Sequence, residues 1–430
     1  MKVLIISHNP ISTYQSMGKS MRALFSAFRT EELCQLYLYP TIPDVKQCAS
    51  CYRVTDKDVL GSLFFRRAGR EVSDGEIEHA ESRLFECEKD EAVYRNPKNK
   101  TPLRMLLRDL MWQMGHWFNQ GLKAWIAREQ PTCIFLAPGS AKLTYNIALK
   151  LSRTYHLPIV SYICDDFFFV KRADTVLGRL KDRLLQKKIA QTVSRSVQLI
   201  TVSRGLEQAY GGHFHVPCVT VMTGSNYPIE PSVRRTETVR GLTYLGNIRC
   251  NRYVSMAEIG AALDHINAEK GTDYTLEIYS GEKDEDILKV LRKHPSVRLM
   301  GFVSGGAFDD AFHAADLLLH VEAFDADSID LVKYSVSTKI ADSLGSGICL
   351  FAYGPACVSS MRHLLENECA ICATSKAELE SRLLTAFEDP ALRVRTAQTA
   401  LRVAAEYHDE HKKSMEFHTL MEKLHEGSAG

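Results

Sequence analysis

Lys339 and Asp342 stand three residues apart, directly after the hydroxyls Ser335, Ser337 and Thr338 and directly before a turn of small residues holding Gly345 and Gly347. Ile340 and Leu344 fall one turn apart, so the spacing predicts a short helix that opens at a polar loop, stops at the glycines and feeds a buried strand over 348–352. The hydroxyls and the lysine then sit at a helix N-terminus, where unpaired amides and the helix dipole favour an anion. Asp342 shares the face of Lys339, within reach of a neighbouring ribose hydroxyl. Together these groups suit a nucleotide diphosphate.

The elements that must position them alternate, strand with helix, from end to end. Strands are expected at 2–7, 34–39, 132–136, 158–163, 198–202 and 218–222, and again at 242–245, 275–279, 297–300, 317–321 and 348–352. Such alternation marks doubly wound parallel sheets. The polar, proline-bearing stretch 226–240 reads as a linker, so two sheets in one chain imply an α/β clamshell with its ligand beyond the strands' carboxyl ends. The expected division is 1–228, a linker at 229–240, a second Rossmann-like domain at 241–405 and a terminal helix in 406–430, where Phe417, Leu420, Met421 and Leu424 have helical spacing. The charge-dense stretch 66–100 is expected to be a solvated helical excursion. A length of 430 residues and 45% hydrophobic content suit two or three ordinary cores, and a net charge of +1 speaks against nucleic-acid binding by bulk charge.

The block from Ser335 to Gly347 resembles the donor-binding segment of family 4 glycosyltransferases of the GT-B fold, in the capsular and exopolysaccharide branch. In most of that family two glutamates lie eight apart; here Tyr334 takes the first place and Asp342 the second. Glu322, at the end of the preceding strand, is placed to supply the missing carboxylate. The resemblance extends to Gly246-Asn247 with Arg249 and Arg252, which it implies hold the donor phosphates, and which share a face if the segment is already helical. It extends also to Asp165 and Asp166, where the family carries a group facing the donor sugar, to Gly18 ahead of the first helix, and to Thr223–Asn226 beside the hinge. It implies a GT-B fold with a C-terminal helix crossing back to the first domain. It implies retaining, metal-independent transfer of a sugar from a nucleotide-diphosphate donor, UDP by default, to a glycan or lipid-linked acceptor.

Alternatives stand beside these expectations. Gly18-Lys19-Ser20 ends like a Walker A loop, but the glycine needed five positions earlier is Thr13. Asp165 or Asp166 could cap the next helix, and Arg249 and Arg252 could be solvated loop arginines. The twelve cysteines sit largely in apolar runs; Cys48/Cys51 and Cys369/Cys372 lack a second pair at zinc spacing, and in a strand Cys369 and Cys372 face opposite sides. Asp325-Ala-Asp327 reads as loop, so neither metal nor cofactor is expected. Two basic amphipathic stretches, 103–128 with Trp112, Trp117 and Trp125, and 174–195, are either membrane-facing or a tryptophan stripe on the sheet with a solvated lysine face. With no apolar run long enough to span a bilayer, a cytoplasmic protein is expected. A nucleotide-sugar 2-epimerase and a non-catalytic nucleotide-sugar binder are the rival functions.

Overall fold

The computed structural model describes residues 1–13, 16–80, 101–170, 173–234 and 237–428, folded as two compact units. Unit 1 comprises residues 1–221 and 410–430; unit 2 comprises 222–409. Residues 81–100, the greater part of the expected charged excursion, lie outside the described residues.

Unit 1 is built on eight strands, β1 (Val3–Ser7), β2 (Leu33–Tyr37), β3 (Ser50–Arg53), β4 (Arg70–Val72), β5 (Cys133–Ala137), β6 (Ile159–Ile163), β7 (Ser196–Thr201) and β8 (Cys218–Thr220), in the order 4-3-2-1-5-6-7-8. Among the described residues only the edge pair β3/β4 is antiparallel. β1 is buried along its whole length because it pairs on both sides and is covered on both faces, which explains its unbroken apolar run. The terminal helix Glu410–Ser428 belongs to this unit, as expected. Its Phe417 ring lies 5.4 Å from Phe25 and 5.6 Å from Phe135, and Ser414 Oγ donates to the Leu24 carbonyl at 2.9 Å.

The stretch expected as one helix over 103–128 is two, Pro102–Met114 and Gln120–Glu129, separated at Gly115 and each capped afresh by Thr101 and Asn119. Two of its tryptophans turn inward: Trp112 Nε1 donates to Asp56 at 2.7 Å and Trp125 Nε1 to Ser50 Oγ at 2.9 Å. The second basic stretch is the helix Val176–Val193.

Unit 2 carries β9 (Gly241–Leu245), β10 (Thr275–Tyr279), β11 (Val297–Gly301), β12 (Leu317–Val321), β13 (Leu350–Tyr353) and β14 (Ile371–Ala373) in the order 11-10-9-12-13-14, all parallel. The helix Arg252–Lys270 lays Met256, Ile259, Leu263 and Ile266 on one face of this sheet. The stretch expected as a linker is fastened to this unit: Glu230 N donates to Gly345 O at 2.8 Å and Arg234 N to Gly347 O at 2.9 Å. Cys369 precedes β14 rather than lying in it, so its thiol and that of Cys372 join one buried cluster instead of facing opposite sides.

Candidate functional site

Sheet order locates the site. Relative to its own first strand, unit 2 runs 3-2-1-4-5-6, so neighbouring connections diverge between β9 and β12, and ligands of such sheets lie beyond the carboxyl ends at that point. β9 leads into Gly246 and Asn247, and β12 into Glu322. The expected helix forms over Thr338–Gly345 with Ile340 and Leu344 buried, which presents Lys339 at its first turn. The preceding loop is tied down by neighbouring hydroxyls: Ser359 Oγ donates to Lys333 O at 2.8 Å, and Ser360 Oγ accepts from Ser337 N and donates to Ser335 O, both at 3.2 Å.

Gly246 adopts φ +141°, and a Cβ there would collide with the Lys339 ammonium. The bare backbone thus lets Lys339 pass; its Nζ donates to Tyr244 Oη at 3.2 Å and lies 4.6 Å above the Tyr244 ring. Arg252 opens its helix and turns back to Glu322, with Nη2 2.9 Å and Nε 3.0 Å from Oε2 and a further bond from Nε to the Val321 carbonyl at 3.2 Å. Tyr244, Asn247, Arg252, His320, Ser337 and Lys339 line a cavity of about 170 Å³. Ser337 makes no side-chain capping bond, leaving its hydroxyl for that cavity.

The electrostatics follow from burial. Burial, then the neighbouring Arg252 charge, pulls the Lys339 ammonium down to about 8, against the opposing pull of Glu322. Burial, Arg252 and Lys339 hold His320 neutral, at about 3, with its Nε2 3.4 Å from Glu322 Oε1. Burial works against the charge of Arg252, yet Glu322 more than offsets it and its pKa stands above the ordinary value; burial in turn pushes the Glu322 carboxyl up. Two cations therefore share one carboxylate, and the cavity carries surplus positive charge. An anion there would be desolvated among fixed donors, where charge-assisted bonds are strongest.

A second cavity, of about 310 Å³, shares Asn247 with the first as a lining residue. Gly246, Arg249, Tyr279, Glu282, Phe302 and Phe308 border it. Arg249 Nε pairs with Glu282 Oε2 at 3.0 Å, and that bond, with two backbone amides, holds the Glu282 carboxyl down to about 2. Cys250 and Asn251 both take left-handed φ, of 56° and 54°, so the chain swings between the arginines and the helix begins only at Arg252. The two arginines consequently do not share a face; each borders a different cavity.

Other expected residues are placed differently. Asp342 accepts from Asn226 N at 2.6 Å, from Asn226 Nδ2 at 3.0 Å and from Ser225 Oγ at 3.1 Å, so its carboxylate fastens the start of unit 2. Tyr334 lies beneath the Lys333 ammonium, 5.0 Å from ring centre to Nζ, and Thr338 is exposed. Glu322, expected to face the sugar, is 2% exposed and committed to Arg252. Gly18 lies inside the helix Ser16–Leu24 rather than ahead of it, and the space of its missing side chain is filled by Pro10 and Ser12 of its own loop. That loop is closed by Asp44, which accepts from Thr13 N at 3.0 Å, rather than wrapped around a phosphate. Asp325 caps the helix Ala326–Val332.

In unit 1, Asp165 is exposed beyond β6, while Asp166 Oδ1 accepts from Phe168 N and Phe169 N at 2.9 Å and from Tyr210 Oη at 3.0 Å. Asp166 thus closes a turn; the following helix is capped by Thr175, not by either aspartate. The sequence reading missed His320, Tyr244 and the Phe302 cavity. His320 leaves no mark in an apolar strand, whereas an aromatic directly after Gly301 was a usable sign of a platform at a strand end.

No protein-family model and no curated protein matches the sequence. Solved structures do match across nearly the whole chain. HepE from Anabaena in complex with UDP is 10% identical, covering 98% of this chain and 100% of its own with a TM-score of 0.63. Sucrose-phosphate synthase from Thermosynechococcus elongatus is 12% identical over 100% of both chains, TM-score 0.63. Trehalose 6-phosphate synthase from Burkholderia multivorans is 9% identical over 100% of this chain and 98% of its own, TM-score 0.61. Two parallel α/β sheets, a terminal helix returned to the first unit and these neighbours together establish that the chain has the GT-B fold.

Proposed function

We propose that the protein is a glycosyltransferase that takes a sugar from a nucleotide-diphosphate donor held in unit 2 and passes it to a glycan or lipid-linked acceptor. The observation that carries this reading is the surplus positive charge of Lys339 and Arg252 beside the bare backbone of Gly246. In this reading the diphosphate lies along Gly246 and Asn247 against Lys339, Arg252 and the Ser337 hydroxyl, and the base and ribose enter the cavity bordered by Tyr279, Phe302 and Phe308. The leaving nucleoside diphosphate gains charge as the anomeric bond breaks, and cations fixed in a water-poor cavity stabilise that charge without reorganising. Glu322 acts as the positioning residue for Arg252. HepE was solved with UDP and with UDP-glucose, which favours a UDP sugar for this fold-mate.

Retention at the anomeric carbon, family 4 membership, a role in cell-surface polysaccharide and independence of divalent metal belong to the same proposal. Two protein cations at the diphosphate supply what a divalent ion supplies elsewhere, so turnover should survive EDTA. The deciding experiment is calorimetry of UDP, GDP and ADP on the parent and on Lys339→Met. Losing one charge-assisted contact should weaken the preferred nucleotide roughly 10- to 150-fold. Unchanged affinity would overturn the assignment, and proton NMR of the product's anomeric centre decides retention.

A further inference from the structure

Among its described residues, unit 1 exposes apolar side chains on one helix and on two further helices that pack against it. Leu103, Leu107, Leu110 and Met114 recur every three or four residues along Pro102–Met114, and each is half exposed or more. The rotation of that helix is pinned from its other side, where Trp112 and Arg108 bond to Asp56 at 2.7 and 2.9 Å and Asp109 pairs with Lys142 at 3.0 Å. Against one flank packs the helix Val176–Val193, which begins with exposed Val176, Leu177 and Leu180. Against the other packs Asp56–Ser62, whose closing turn carries Phe64, 73% exposed, and Phe65, fully exposed. Phe65 holds a left-handed φ of 64°, which bulky residues rarely adopt, and the turn is closed by Arg66 N donating to Gly61 O at 3.2 Å. The two rings are therefore presented outward by a bonded turn.

Cations border this surface. Arg66 follows the aromatic pair, Arg104 stands beside Leu103, and Arg183 and Lys187 continue the row begun by Val176 and Leu180, all four of them exposed. Apolar side chains in the middle with long cationic ones at the margin match a bilayer, whose acyl boundary takes the former and whose anionic headgroups take the latter. Among the described residues no helix is long and apolar enough to cross a membrane, so such attachment is peripheral.

We propose that this face of unit 1 seats the protein on an anionic lipid bilayer, with Phe64, Phe65 and the leucine row entering the acyl boundary. The proposal stands on unit 1 and does not depend on the nucleotide reading. The test is flotation of the full chain with vesicles of phosphatidylcholine, with and without one third phosphatidylglycerol. Anionic vesicles should bind it at least ten-fold more tightly than neutral ones, and salt should weaken the binding. Phe64→Ser with Phe65→Asn, the latter a residue that accepts left-handed backbone, should lower binding roughly ten-fold or more, and Arg183→Gln and Lys187→Gln roughly five-fold each. Circular dichroism and thermal transitions should match the parent, since every altered side chain is exposed. Absence of binding to anionic vesicles, or binding indifferent to both sets of variants, would overturn the proposal. A dimer or soluble-protein complex that the aromatic variants dissolve, without vesicle binding, would assign the face to a protein partner instead.

Discussion

Lys339 keeps its proton against its surroundings. Burial and Arg252 draw its pKa to about 8, while an unfolded lysine titrates near ~10.4. A bound diphosphate favours the ammonium, so nucleotide affinity should hold steady below pH 8 and fall as pH rises through it, up to ten-fold per pH unit; calorimetry on the parent and on Lys339→Met, whose profile should be flat there, checks this. The same shift has the opposite sign for the empty protein. Between about 8 and the unfolded value the unfolded chain binds more protons, so stability due to this residue rises with pH, and at neutral pH the charged lysine destabilises the fold. Lys339→Met should therefore bind nucleotide poorly yet unfold at higher temperature, by a gain on the order of 1–3 kcal/mol. At the other candidate position the expected split runs between neighbours. Asp166→Ala should destabilise unit 1 by about 1–3 kcal/mol because it opens a bonded turn. For Asp165 we propose a role on the donor sugar, on which reading Asp165→Ser should lower kcat and leave nucleotide affinity intact.

At the scale of elements, the strand-to-helix turn at Gly246 sets the geometry of the cation cavity. Gly246→Ala must accommodate both an unfavourable φ and a collision with the Lys339 ammonium, so it should weaken nucleotide binding about as much as removing the lysine, measured by the same titration. What the sequence made legible and what it hid both follow from element physics. The pairing of Ile340 with Leu344 announced the helix that presents Lys339, and long apolar runs announced β1, β5 and β12 because central parallel strands are buried on both faces. β3, whose Ser-Cys-Tyr-Arg carries little apolar signal, and β4, a three-residue antiparallel edge, gave none. The parting of Arg249 from Arg252 was hidden because Cys250 and Asn251 are left-handed without being glycine. Asp342 illustrates a different limit: spacing put it on the face of Lys339, but only tertiary placement shows its carboxylate bonded to Ser225 and Asn226.

The whole molecule is two units with one core shared between distant parts of the chain. Phe25, Phe135 and Phe417 are all fully buried in unit 1, and their rings meet edge to face. Phe417→Ala should thus cost unit 1 about 3–5 kcal/mol, while nucleotide affinity in unit 2 stays at the parent value. Calorimetric unfolding, with and without nucleotide, separates the two: the nucleotide should shift the transition of unit 2 and the substitution that of unit 1.

The return of Glu410–Ser428 to unit 1 also has a consequence for how the protein is made. A ribosome delivers Phe25 and Phe135 long before Phe417, so throughout the synthesis of residues 222–409 the first unit waits with an open aromatic face. Unit 2, whose residues are contiguous, can close while the first is still unfinished. A nascent chain stalled or cut short before the helix Glu410–Ser428 emerges would hold a finished second unit and a first unit with exposed phenylalanines, the kind of surface that chaperones and proteases recognise. The closing of unit 1 therefore waits on the synthesis of Glu410–Ser428.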